Sequence, residues 1–159
     1  MNTEKLFRQE LVNYLKKPHT HMSLSDAVKD FPTKLINENP PGVPYSFWEL
    51  LEHIRISQWD MIDFIQNANY KEMEWPKDYW PSKETKATKE MWDGSLEKFN
   101  NDLEILEKII DNPENELLVP IKHGKGQTIF REILQIIDHN SYHIGELIIM
   151  RRNLNTWGK

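Results

Sequence analysis

From Trp92 to Ile110 the apolar residues Trp92, Leu96, Phe99, Leu103, Leu106 and Ile110 fall three or four apart, the repeat of one helix face. The pattern predicts a helix from about Thr88 to Ile110, stopped by Asn112-Pro113. Three other stretches carry the same signature. Residues 4 to 16 align Phe7, Leu11 and Tyr14, with Leu6 and Leu15 beside them. A helix through LLEHIRISQWDMIDFIQN to about Gln66 starts at Ser46 and Glu49, an S-x-x-E capping box, with Tyr45 placed to staple onto Leu50. The last helix opens after KHGKGQ at Thr128 and runs through Ile129, Ile133, Ile136, Ile144 and Leu147 to roughly Asn153, on the order of 38 Å of helix. Nothing has the period-2 alternation of a strand. Four long helices in 159 residues predict one all-α domain spanning 1-159, a four-helix bundle.

The loops are unequal. Residues 17 to 45 form a connection far longer than the roughly 2–8 residues usual in bundles, so an ordered, functional loop is expected between the first two long helices. Within it, Ser23 and Asp26 make a second capping box that predicts a short helix, and PPGVP stiffens its end. The next loop, NANYKEMEWPKDYWP, holds Trp75 and Trp80, each followed by proline, and these are the expected lid residues. Trp48, Trp59 and Trp92 read instead as core or dimer-interface anchors. The third loop, 111 to 127, contains His123, Lys122 and Lys125. Its glycines precede a helix N-terminus that can receive an anion, but without GK[ST] it is no Walker loop, and a plain helix start is the simpler reading.

Composition removes whole classes of function. A net charge of −5 without a concentrated Lys/Arg footprint argues against nucleic acid as a partner. No stretch approaches a membrane span or a signal-peptide core, so a cytoplasmic protein is expected. There is no cysteine, which excludes disulfides, thiolate nucleophiles and zinc–thiolate sites. Any metal must be held by histidine, carboxylate or water.

Six histidines therefore carry the question. In DHNSYHIGEL, His139 and His143 stand four apart, one turn of helix, and can present nitrogens to a single ion. The same spacing describes two histidines at a helix surface or hydrogen-bonded in a core. A zincin protease would need Glu where Asn140 stands. A ferritin-like di-iron bundle would need Glu three residues before each histidine, where this chain has Leu50, Ile136 and Asn140. His53 lies beside Leu50 and Ile54 on or next to the inward face of the second long helix, and a bundle can bring it opposite the pair. Three neutral imidazoles make an open set that suits zinc, nickel or iron. Glu49, Asp60, Asp138 and Glu146 are the nearby carboxylates that could fix ring tautomers.

Taken together, ELLEHIRISQWD, HGKGQTIFREIL and DHNSYHIGEL resemble the DinB/YfiT-like family of four-helix metalloproteins, over essentially the whole chain and including the long first loop with its PPGVP. The resemblance implies metal ligands at His53, His139 and His143, a homodimer, and an up-down-down-up order of the long helices. It also implies a chemistry, since characterised members include S-transferases that use low-molecular-weight thiols such as bacillithiol, and a mycothiol-dependent isomerase. A divalent ion with a free position lowers the pKa of a bound thiol and holds the thiolate beside a small-molecule electrophile. Two other readings stay open: hydrolysis by metal-bound water, and a non-catalytic stress-response dimer whose ion braces the bundle. The first loop feeds the half of the helix that carries His53, so PHTHMSLSD is expected over the metal, with His19 or His21 as a fourth ligand or acid/base group, or simply as exposed loop histidines.

Overall fold

Ser46 and Glu49 exchange hydrogen bonds at the start of the second long helix: the Ser46 amide donates to Glu49 Oε2 at 2.6 Å, and the Glu49 amide donates to Ser46 Oγ at 3.2 Å. This reciprocal cap satisfies two amides that helix geometry leaves without partners. The structure, a computed structural model, describes residues 3–16 and 20–157. Among the described residues there are five α-helices: α1 Thr3–Lys16, α2 Leu24–Val28, α3 Phe47–Gln66, α4 Lys89–Asp111 and α5 Ile129–Asn153. Four are long, and no strand forms among the described residues, an architecture compatible with a helical bundle. The long elements lie where the apolar periodicity predicts them. The short α2 opens at the Ser23–Asp26 capping box, and Thr88 and Thr128 cap α4 and α5.

α3 packs against α4 and α5, and α1 packs against the same two. The apolar interior has two parts. One joins the first half of α3, through Phe47, Leu50, Leu51 and Ile54, to Trp92 and Phe99 of α4 and to Ile144, Leu147 and Met150 of α5. The other joins Leu11 and Leu15 of α1 to Ile62, Leu106, Ile110, Ile133 and Ile136. Between them runs a buried polar chain, in which Asn140 Nδ2 donates to Gln58 Oε1 and Gln58 Nε2 donates to the Phe99 carbonyl. Hydrogen bonds make that layer tolerable inside the bundle. Truncating a fully buried side chain such as Leu50 or Leu147 is expected to cost about 2–5 kcal/mol.

Two arginines fasten the ends. Arg8 of α1 donates to the carbonyls of Ile110, Asn112 and Asn115, which satisfies the C-terminus of α4 with a cation where the helix dipole favours one. Arg151 of α5 donates to the carbonyls of Ala27 and Lys29 and ties the first loop to the bundle. Trp48 and Trp92 are core residues, as expected, whereas Trp59 is 43% exposed.

Candidate metal centre

His53 projects inward from the second turn of α3 and is 1% exposed. Its Nδ1 lies 2.8 Å from the Tyr79 carbonyl. A carbonyl only accepts, so Nδ1 carries the proton and Nε2 is left with a bare lone pair. On α5, His143 Nδ1 lies 2.6 Å from Glu146 Oε2, one turn further along the helix. The carboxylate fixes the same tautomer there. The two bare nitrogens face each other, with His53 Nε2 3.2 Å from His143 Nε2.

His139 completes the group, its Nε2 also 3.2 Å from His53 Nε2. The donor atoms of the three rings all lie within 4.8 Å of one another. Lone pairs at such distances repel unless a proton or a cation stands between them. For the His53–His143 pair, whose ring protons already sit on Nδ1, an added proton is a poor filler at neutral pH. Burial pushes His53 down to about 4, partly opposed by the Tyr79 carbonyl, and burial followed by the charges of His143 and His53 pushes His139 down to about 4. A metal ion suits the gap. Two nitrogens each about 2.0–2.1 Å from a tetrahedral zinc stand roughly 3.3 Å apart, close to what the rings already show. The three-histidine group can therefore bind a metal ion.

Aromatic rings enclose the cluster. Trp80 stacks on His53 and Tyr45 stacks on Trp80 in turn. Trp75 and Tyr142, 68% and 65% exposed, meet His53 and His143 edge-on. Tyr45 is raised to about 12, by burial first and then by Glu146, and so keeps its hydroxyl proton.

The segment over the histidines is thus mainly the one between α3 and α4, with Tyr45 from the end of the first loop behind Trp80, and the expectation that PHTHMSLSD covers them is corrected where those residues are described. His21 lies elsewhere: its Nδ1 meets the Met22 carbonyl and its Nε2 meets Ser141 Oγ. Ser141 is two residues from both His139 and His143, about 200° around the helix, so His21 sits on the opposite side of α5. His19 lies outside the described residues. His123 bonds the Phe64 carbonyl and holds the third loop to the end of α3. The anion reading of that loop gains no support, because Gln127 takes the Lys125 amide and Thr128 takes the Arg131 amide.

Of the four carboxylates expected to orient the rings, Glu146 does so directly. Glu49 is used in the cap of α3, and Asp138 is exposed. Asp60 acts at one remove: it accepts hydrogen bonds from the hydroxyls of Tyr70, at 3.0 Å, and Tyr79, at 2.7 Å. Anchoring Tyr79 places its carbonyl on His53. Tyr79 is the functional residue that sequence reasoning missed. Its contribution is a backbone oxygen, which leaves no side-chain signature.

The chain matches no protein-family model, no curated protein and no solved structure. No helix among the described residues is long and apolar enough to cross a membrane.

Proposed function

We propose that this chain is a DinB-like metalloprotein that holds one divalent ion on His53, His139 and His143 and works as a low-molecular-weight-thiol S-transferase. The observation that carries the metal half is the pair of proton-fixed rings whose Nε2 lone pairs stand 3.2 Å apart, each ring locked from behind by Tyr79 or Glu146. The up-down-down-up order belongs to the same proposal. It is supported by Glu52 meeting Ser95 and Gln58 meeting Phe99, which makes α3 and α4 run alike, and by Lys16 meeting Glu107 while Arg8 reaches Ile110, which sets α1 against α4. The homodimer rests on the family resemblance alone.

Zinc, nickel or iron, once bound, would supply Lewis acidity at a position left free by three protein donors. The chain's own residues do the rest. Glu146 and Tyr79 fix the tautomer and the aim of two rings, and Trp80 and Tyr45 shield the His53 side from water. The exposed rings of Trp75 and Tyr142 border the cluster, where an apolar electrophile can rest beside a thiol. A chain without cysteine draws its nucleophile from a cosubstrate. Hydrolysis is less well supported, because the three-residue donor group contains no carboxylate and Glu146 is committed to the far side of the His143 ring.

A panel of low-molecular-weight thiols, each assayed with a chromogenic electrophile on metal-loaded protein, tests the reaction. Conjugation with at least one thiol, lost in His53→Ala, is expected. Absence of conjugation with every thiol would leave a metal-binding protein and remove the transferase assignment.

A further inference from the structure

Further along the groove between α3 and α5 lies a second polar site. Asp60 follows His53 by seven residues and Glu132 precedes His139 by seven. Each is about 10 Å along its helix and close to the same face. Both are buried, 6% and 7% exposed, and both line a 390 Å³ cavity walled by Phe64, Tyr70 and Tyr79. That volume is within the range of small-ligand sites.

The two carboxylates are not equivalent. Asp60 is satisfied by the two tyrosine hydroxyls. Among the described residues Glu132 takes no hydrogen bond and no ion pair, and Arg131 and Asp60 reach it only through their charges. The Glu132 residue is more than nine-tenths buried and its carboxylate opens onto the cavity without a protein partner, so a counter-charge arriving there is favoured. Burial raises the pKa of both groups, as expected where that charge is missing. A metal ion does not fit, because the only close-set group of three or more donors among the described residues is the histidine one.

We propose that this cavity binds the primary ammonium group of a small ligand, with Glu132 as its counter-ion and the Phe64 and Tyr70 rings as walls. An ammonium donates three hydrogen bonds and is attracted to ring faces, so the carboxylate and the aromatic walls serve one guest. Arg131, Lys125 and Glu72 line the same cavity and are exposed, so its outer rim carries both signs of charge and the buried Glu132 is what selects the ammonium end. Tyr79 is shared with the histidine cluster, its hydroxyl on Asp60 and its carbonyl on His53, yet the ammonium site uses no metal ligand and stands whether or not an ion is bound.

Amide NMR of the full-length protein, titrated with n-butylammonium chloride and in parallel with sodium butyrate and sodium chloride, tests the assignment. Saturable shifts at the Gly124 and Tyr79 amides are expected with butylammonium alone, with at least tenfold weaker binding in Glu132→Gln and no weakening in Lys125→Ala. Well-dispersed spectra of each variant establish that it is folded. Unchanged affinity in Glu132→Gln, weaker binding in Lys125→Ala, or no saturable shift at these amides would overturn the proposal.

Discussion

The Trp80 indole lies flat on the His53 imidazole, with ring centroids 4.0 Å apart and planes within 2°. Stacked aromatic pairs contribute about 0.5–1.5 kcal/mol beyond the area they bury. Trp80 is half-buried, so Trp80→Ala is expected to lower stability to urea by about 1–3 kcal/mol and to speed metal loss to a chelator. Trp92→Ala, which empties a site only 4% exposed, should cost more, about 3–5 kcal/mol, and affect metal release far less. Equal metal-release rates in the two variants would remove Trp80 from the site.

Glu146 holds the Nδ1 proton of His143. Partners of this kind typically change metal affinity 10–100-fold when removed. Glu146→Ala should weaken binding by about that factor in competition with a chromophoric chelator. Unaltered affinity would show that the carboxylate does not orient the ligand.

Legibility from the sequence divides along the range of the interactions. Local ones were readable: the capping boxes at Ser23 and Ser46, the Thr88 and Thr128 caps, and the Glu146–His143 pair at helical spacing all lie within one turn of chain. The three histidines were readable as well, because an inward-facing His53 has few other uses in an apolar face. The covering segment was not. It is placed by Tyr79 reaching Asp60, 19 residues away, and by Trp80 reaching His53, further still along the chain, pairings that no periodicity encodes. Asp60 shows the same limit. Seven residues put it on the face of His53 but nearly two turns away, too far to touch the ring and close enough to hold the loop that does.

Acid should destabilise protein stripped of metal. His53 and His139 have folded pKa values of about 4 against 6.5 for a free histidine. Between those values the unfolded chain binds more protons, so their contribution is complete above about pH 6.5 and is lost as the pH falls toward 4. A loss of roughly 2–4 kcal/mol across that window is expected, after allowing for water that reaches the site. Urea unfolding of the stripped protein from pH 7 to 4, compared with His53→Ala, measures it. An identical pH dependence in the two proteins would contradict the burial of a neutral His53.

Gly124 sets the shape of the cavity beneath. A Cβ there would meet Phe64 Cζ and Gln127 Oε1, each at 3.0 Å, tighter than most packed contacts, so these neighbours must give by a few tenths of an ångström. Gly124→Ala must displace the Phe64 ring and should destabilise the protein by about 1–3 kcal/mol. Thermal unfolding checks this, and a variant as stable as the parent would mean that the third loop yields without cost.

Metal content of the purified protein, measured beside His53→Ala and His143→Ala, bears most directly on the histidine cluster. One divalent ion per chain in the parent and a large loss in both variants is the expected result. Undiminished metal in both would contradict a centre built on these three rings.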